Sequence, residues 1–227
     1  MYTETPMSES LVYPAFATLT LAIPGGLTGA IQELNWLEVF GFVTGAACVY
    51  LQVKEVIWNW PIGIANNIVY FVVFWHSRLY ADACLQIFFL SVSVYGWWKW
   101  LYGGKDHSHL SVQQTTKGFG LVLVAVTITA GVVIYEVLRR FSNSDVPWGD
   151  ATTTAVSLTA QYMLGRKLLE NWLLWIGVNV LYIGLYCYKH LFLTAFLYAI
   201  FIVMCVMGYR GWKKNLEASS QTSAVTA

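Results

Sequence analysis

The sequence predicts an all-α membrane protein with seven transmembrane helices in a 3+1+3 parallel-repeat arrangement and an N-terminal interfacial helix. Three observations lead to this fold class. The 227-residue chain is 57% hydrophobic and only 11% charged, whereas a soluble domain carries about a quarter charged residues. Apolar windows of about 20 residues, the length that spans a bilayer, cover most of the chain. A framework of polar and aromatic residues also occurs twice, 112 positions apart.

Seven windows are long and apolar enough to cross a membrane. Helices are expected there, because lipid cannot satisfy backbone polar groups and the windows lack the alternation of barrel strands. The windows cover residues 37–56, 57–75, 79–100, 118–138, 149–168, 169–188 and 190–210. Residues 11–31 are also apolar, but prolines and glycines interrupt them and no basic residue precedes them as in a signal peptide. An interfacial or partly inserted helix is therefore expected within the N-terminal segment 1–35.

The stretch NWPIGIANNIVY at residues 59–70 returns as NWLLWIGVNVLY at residues 171–182. The match continues without a gap over residues 36–100 and 148–212, which we call the first and second repeats. Residues 101–147, a loop and a linker helix, have no counterpart. Matched helices are four spans apart, so they cross in the same direction and form parallel repeats, which enclose a site at their interface. The Ser/Thr-rich tail, residues 213–227, is expected to be disordered.

The loop charges predict how the chain is oriented. If the seven spans alternate, nine Lys and Arg residues fall on one side and four on the other, which favours the first side as cytoplasmic. The nine are Lys54, Lys99, Lys105, Lys117, Arg166, Lys167, Arg210, Lys213 and Lys214, and the four are Arg78, Arg139, Arg140 and Lys189. The C-terminus is then cytoplasmic.

Each repeat carries one stripe of polar and aromatic residues along its second helix. The spacing of four, four and three places each set on one helix face. The stripes are Asn59, Gly63, Asn67 and Tyr70, and Asn171, Trp175, Asn179 and Tyr182. Single asparagines often tie membrane helices together, but two related stripes with aromatics favour a binding site. Further candidates share faces of neighbouring spans: Gln86 with Ser93, and Thr154 and Ser157 with Gln161. Six tryptophans near helix ends are expected to form an interfacial belt: Trp36, Trp97, Trp98, Trp100, Trp148 and Trp212.

The spacing of Trp36 and Glu38, the NWPIGI and NWLLWI helix starts and the YGWWKW close of the third span resemble the PnuC family of vitamin transporters. The resemblance covers about residues 36–212. It implies a SWEET-like fold, a bacterial inner-membrane location, a trimer, and nicotinamide riboside, a vitamin B3 precursor for NAD synthesis, as the substrate. Relatives with the same frame carry thiamine, riboflavin or deoxynucleosides, which remain alternatives. The binding residues it implies are Trp60, Asn67, Tyr70, Gln86, Trp172, Trp175, Asn179 and Tyr182, to which the helix-face argument adds Gln161.

Other functions of a seven-helix protein fit less well. A retinal photoreceptor needs a lysine within a membrane helix, and residues 190–210 contain none. The duplication argues against a signalling receptor, and no acid pair, nucleophile with its base, or ligand cluster indicates an enzyme. The four cysteines are expected to be packing residues. No catalytic residue, cofactor, metal site or nucleic-acid partner is expected.

The positions of the acidic residues predict how transport is energised. A proton-driven carrier normally holds a titratable group within the membrane. Here all six candidates lie about a turn from a predicted helix end: Glu38, Glu55, Asp82, Glu136, Asp150 and Glu170. Facilitated diffusion is therefore expected, with phosphorylation inside the cell trapping the substrate. Sodium coupling stays open, because carbonyls and hydroxyls alone can bind that ion.

Overall fold

The computed structural model describes residues 36–76, 80–104, 107–141, 146–188 and 192–225. These residues form seven α-helices without a β-strand, which confirms the predicted all-α class. The helices are α1 (Trp36–Val53), α2 (Asn59–His76), α3 (Tyr80–Tyr102), α4 (Lys117–Phe141), α5 (Pro147–Gly165), α6 (Asn171–Tyr188) and α7 (Phe192–Val225). The interfacial helix predicted at 11–31 lies outside the described residues.

The turns after α1 and α5 share one backbone design. The Val56 amide donates to the Leu51 carbonyl at 2.8 Å, and 112 positions later the Leu168 amide donates to the Met163 carbonyl at 3.0 Å. Such bonds close a helix through a residue with positive φ, usually glycine. Here Glu55 at φ 54° and Lys167 at φ 50° take that place. Two charged residues thus adopt a backbone conformation that costs a side-chain-bearing residue about 1–3 kcal/mol.

The asparagines that begin both stripes stabilise the starts of α2 and α6. Asn59 Nδ2 donates to the Val56 carbonyl at 2.8 Å, and Asn171 Nδ2 donates to the Leu168 carbonyl at 2.6 Å. Each side-chain amide therefore supports a turn and satisfies a carbonyl within it. Pro61 follows in the first turn of α2, where a missing backbone N–H is tolerated.

Helix packing follows the two halves of the sequence. Within the halves, α2 packs against α1 and α3, and α6 packs against α5 and α7. Between them, α3 contacts α5 and α1 contacts α7, so the third helix of each repeat meets the first helix of the other. The linker helix α4 packs against α5. The contact surface between the repeats therefore consists of two matched helix pairs.

Two of the described helices meet a strict length and hydropathy criterion for crossing a membrane. They are α4, with a mean hydropathy of 2.4, and residues Ala195–Ser219 of α7, with 1.5. Large aliphatic side chains cover the exposed surface of α4, including Leu121 and Ile128, which are 72% and 63% exposed. Lipid is a favourable environment for such a surface, because it does not have to be removed from water.

Helix α7 continues to Val225, which differs from the disordered tail predicted for residues 213–227. Three contacts stabilise the first of these added turns. Leu216 packs against the buried core, and Asn215 Nδ2 donates to Glu55 Oε1 at 2.7 Å. Lys213 and Glu217 form an exposed pair one turn apart at 4.0 Å. The polar composition of the tail did not predict these contacts, because two of them are made with distant parts of the chain.

Candidate functional site

Four buried tryptophans gather at one end of the bundle, which we call the tryptophan end. The tryptophan cluster consists of Trp60, Trp100, Trp172 and Trp212. Trp60 meets Trp100 edge-on at 5.4 Å between ring centroids, and Trp172 meets Trp212 edge-on at 5.3 Å. Trp100 and Trp212 lie 6.0 Å apart and join the two pairs. The cluster therefore crosses the boundary between the repeats.

The belt expected from the terminal tryptophans is wrong for Trp100 and Trp212. Both are at most 2% exposed, and each indole N–H donates to a carbonyl of the other repeat. Trp100 Nε1 reaches the Leu164 carbonyl at 3.1 Å, and Trp212 Nε1 reaches the Gln52 carbonyl at 3.2 Å. Trp97, Trp98 and Trp148 are exposed, as belt residues would be, and the Trp36 side chain lies outside the description. Helix-end position alone did not distinguish these two groups.

The rings of Trp60 and Trp172 pack directly against glycines. A β-carbon at Gly208 would lie 2.6 Å from ring carbons of Trp172, and one at Gly96 would overlap the ring of Trp60. Trp60 and Trp172, both predicted to bind substrate, are thus held against the third helix of their own repeat. Their exposure is 1% each.

A layer of small polar side chains lies about 10 Å from the tryptophan cluster. Asn67 follows Trp60 by seven residues, and Asn179 follows Trp172 by seven, and a helix rises about 1.5 Å per residue. Asn67 Nδ2 contacts Ser93 Oγ at 3.5 Å, and Asn179 Nδ2 contacts Cys205 Sγ at 3.7 Å. Ser157 lies seven residues before Leu164 and reaches the same depth. We call Asn67, Ser93, Ser157, Asn179 and Cys205 the polar layer.

The polar layer retains unused hydrogen-bonding capacity. The Asn67–Ser93 contact is at the long limit for a hydrogen bond between nitrogen and oxygen, and the Asn179 amide has only a sulfur atom, a weak acceptor, as its partner. In the described part of the chain, no hydrogen-bond partner is found for Ser157 Oγ, or for Gln86 Oε1 and Thr154 Oγ1 further from the tryptophan end. An unsatisfied buried polar atom costs about 1–3 kcal/mol. The site therefore favours a molecule that supplies donors and acceptors.

Gln86 and Thr154 lie at similar depths on neighbouring helices. Tyr95 of α3 stacks on Tyr162 of α5 at 6.1 Å. Gln86 precedes Tyr95 by nine residues, and Thr154 precedes Tyr162 by eight, so both lie about 12–14 Å from this contact. These two unpartnered oxygens therefore lie at a similar depth on two helices that pack together.

A tyrosine cluster lies on the far side of the polar layer. Tyr182, Tyr186 and Tyr198 have ring centroids 5.1–5.9 Å apart. Tyr70, the match of Tyr182, is also buried, and it packs with Ala83 and Phe71. Tyr70 follows Asn67 by three residues, and Tyr182 follows Asn179 by three, so both lie beyond the polar layer.

The other two predicted site residues are half-buried. Trp175 packs against the core that contains the tryptophan cluster, between Trp172 and Asn179 on α6. Gln161 lies on α5 one turn from Ser157 toward the tryptophan end. The structure thus brings Asn67, Asn179 and the partners of their amides to one depth.

The sequence of residues 35–214 matches the profile of a family described as nicotinamide mononucleotide transporter. The chain belongs to this family. The match covers the first six helices and α7 as far as residue 214, and it confirms the predicted resemblance to the PnuC proteins. This is a family of transporters, so the chain is not assigned an enzymatic role.

Two relatives and one solved structure are similar to this chain over most of its length. It is 27% identical over 215 residues to the nicotinamide riboside transporter PnuC of Escherichia coli, covering 84% of this chain and 89% of that protein. It is 24% identical to the riboflavin/roseoflavin transporter RibM of Streptomyces davaonensis, covering 80% and 86%. A crystal structure of the vitamin B3 transporter PnuC superposes with a TM-score of 0.64 at 26% identity, covering 84% of this chain and 86% of that one.

Sequence reasoning missed several residues of this site. Ser93 was noted only as a neighbour of Gln86, and Cys205 only as a packing residue. Their signal was the 112-residue register itself, because Ser93 and Cys205 occupy matched positions opposite matched asparagines. Glu55 and Lys167 also occupy matched positions and were overlooked, because their charges are opposite.

Proposed function

We propose that this chain transports nicotinamide riboside across a bacterial cytoplasmic membrane by facilitated diffusion. The observation that carries the proposal is the layer of buried amides and hydroxyls between a tryptophan cluster and a tyrosine cluster. Membership of a transporter family supports the role, and the name of the relative in Escherichia coli supports the substrate.

The chemistry of the riboside suits this arrangement. Its flat cationic ring carries an amide, and its sugar carries hydroxyls. Aromatic faces attract such a cation, and Trp175 is the half-buried aromatic nearest Asn179 along α6. Asparagine and glutamine match an amide or hydroxyl as both donor and acceptor. We assign substrate contact to Asn67, Gln86, Gln161, Trp175 and Asn179. We assign Tyr70 and Tyr182 to the far wall and Trp60 and Trp172 to the near wall.

The charges favour the riboside over the phosphorylated mononucleotide. A phosphate needs a cationic partner when it leaves water. Among the described residues, Lys167 is the single buried Lys or Arg, and its Nζ lies 2.6 Å from Glu55 Oε2. No unpaired buried cation is therefore provided for a phosphate in the described residues.

Riboflavin is the second candidate, because RibM is a relative of similar coverage. Thiamine and deoxynucleosides share the same requirement for stacking and polar recognition. A binding comparison separates them.

We further propose a 3+1+3 arrangement in which parallel repeats are related by an axis along the membrane normal. The contacts of α3 with α5 and of α1 with α7 support this symmetry, because each joins the third helix of one repeat to the first helix of the other. The tryptophan end and the C-terminus then face the cytoplasm, as the loop charges favour. By family resemblance the assembly is a trimer in the bilayer.

Isothermal titration calorimetry of the purified protein tests the substrate. Nicotinamide riboside should bind, and the mononucleotide should bind at least about tenfold more weakly because its phosphate lacks a cation. Riboflavin, thiamine and deoxyadenosine complete the panel. Gln86→Ala should weaken riboside binding by about 1–3 kcal/mol, whereas Cys84→Ala, an exposed position on the same helix, should not. Riboside affinity that survives Gln86→Ala would contradict the assigned site, and binding of riboflavin alone would identify the second candidate.

A further inference from the structure

One ion pair joins the two repeats at the tryptophan end. Lys167 Nζ lies 2.6 Å from Glu55 Oε2, with side-chain exposures of 9% and 18%. Asn215 Nδ2 donates to the second carboxylate oxygen at 2.7 Å. Lys167 Nζ also lies 4.5 Å from the ring centroid of Trp100. The charges are thus largely withdrawn from water, and each is held by two groups.

The hydrogen bonds of Trp100 and Trp212 connect the same two repeats in the same layer. The Trp100 indole N–H donates to the Leu164 carbonyl near the end of α5, and the Trp212 indole N–H donates to the Gln52 carbonyl near the end of α1. The two bonds are equivalent under exchange of the repeats, because both partners are 112 positions apart. Glu55 and Lys167 are likewise 112 positions apart. Residues at matched positions touch each other only next to the two-fold axis that relates the repeats, so the Glu55–Lys167 pair lies at that axis, and the two tryptophan bonds lie on either side of it.

The backbone at both charged residues is strained. Glu55 and Lys167 have positive φ, which is unusual for residues with a β-carbon. Strained residues persist where surrounding contacts hold them, and they concentrate at switch regions. Separation of the ion pair would remove the one contact that these two turns make with each other.

We propose that the Glu55–Lys167 pair, together with the Trp100 and Trp212 hydrogen bonds, forms a gate that closes the tryptophan end of the transport path. A path between the repeats reaches this end only by separating α3 from α5 or α1 from α7, and these contacts hold both helix pairs together. The structure therefore represents a state closed at this end. This inference rests on the proposed transport function.

A native cysteine provides the reporter. Cys205 is 3% exposed and lies seven residues before Trp212, about 10 Å inside the gate. Replacing the other three cysteines, Cys48, Cys84 and Cys187, with serine leaves one thiol in the chain. The labelling rate of Cys205 by a membrane-impermeant cationic thiosulfonate, applied from the side of the C-terminus, then measures how often the gate opens.

Glu55→Gln and Lys167→Gln should each accelerate labelling by about tenfold, because either change removes the ion pair and shifts the population toward the open state. Exchanging the two charges, Glu55→Lys with Lys167→Glu, should bring the rate back toward that of the parent. Glu136→Gln is the matched control, since it breaks an exposed ion pair with Arg139 on α4 and should leave labelling unchanged.

Equal labelling rates in the parent and in both single variants, with normal elution and helicity, would overturn the gate. If the charge variants fail to fold, Trp212→Phe keeps an aromatic ring at this position, removes one gate hydrogen bond and should also accelerate labelling; an unchanged rate would again overturn the proposal. The readout requires no substrate. Failure of riboside binding with normal gating would therefore reject the proposed substrate alone.

Discussion

Gly208 allows the sharpest test of the packing that positions the site. In Gly208→Ala the added methyl would lie 2.6 Å from two ring carbons of Trp172. Real β-carbons essentially never approach so closely, so the ring or the helix must move. The ring has little freedom, because it is 1% exposed and packs edge-on against Trp212. Gly96→Ala should act in the same way on Trp60 in the first repeat.

The magnitude follows from two opposing effects. Glycine to alanine within a helix is ordinarily stabilising by up to about 1 kcal/mol. Overpacking a tight core costs about 1–3 kcal/mol, and an immobile ring favours the upper part of that range. Gly63 and Gly177 are the controls, because nothing lies within 4 Å of a β-carbon at either position. The test variants should therefore be about 1–3 kcal/mol less stable than the controls.

Thermal unfolding in detergent, followed by loss of the monodisperse elution peak, measures the difference. For a chain of this size about 1 kcal/mol corresponds to roughly 2–4 °C in Tm. Gly96→Ala and Gly208→Ala should therefore melt about 2–12 °C below Gly63→Ala and Gly177→Ala. Equal melting of all four variants would show that the tryptophans are not tightly seated on these glycines, and the reasoning on the near wall would fail.

The remaining predictions concern binding, the tryptophan hydrogen bonds and energy coupling. Asn179→Ala and Trp175→Ala should each weaken calorimetric riboside binding by about 1–3 kcal/mol with normal expression; full affinity in both would return them to a packing role. Trp212→Phe should lower Tm more than Trp172→Phe, because only Trp212 leaves a carbonyl, that of Gln52, without its donor; equal losses would contradict this. In liposomes, labelled riboside should equilibrate without accumulating under a proton or sodium gradient, and should accumulate only when a kinase and ATP are enclosed. Gradient-dependent accumulation would reject facilitated diffusion.

Much of the helical framework could be predicted from the sequence, because its signals are local or repeated. The second helix of each repeat begins at Asn59 and Asn171, where the repeated motif begins. Apolar windows of membrane length marked the other helices to within a few residues, except for the extension of α7. Its added turns depend on Asn215 and Leu216 finding partners in distant segments, which no local pattern encodes.

The polar stripes were visible in the sequence, but their partners were not. Helical spacing places Asn67 and Asn179 on the same face as their neighbours, whereas the contact with Ser93 or Cys205 depends on how the next helix packs. The ion pair between Glu55 and Lys167 was missed for a different reason. A search for matching residues discards positions with opposite charges, yet matched residues next to a two-fold axis face each other, and opposite charges there attract.

The unequal halves of the proposed site also restrict how a bound molecule is oriented. If both repeats offered identical side chains, a ligand on the axis would bind equally well after a half-turn, and two poses would coexist. Instead Gly63 is matched by Trp175, Ser93 by Cys205 and Gln86 by Tyr198. Each difference removes the equivalence of the two poses. In the proposed site the substrate therefore binds in one orientation, and every substrate molecule leaves the site with the same end first.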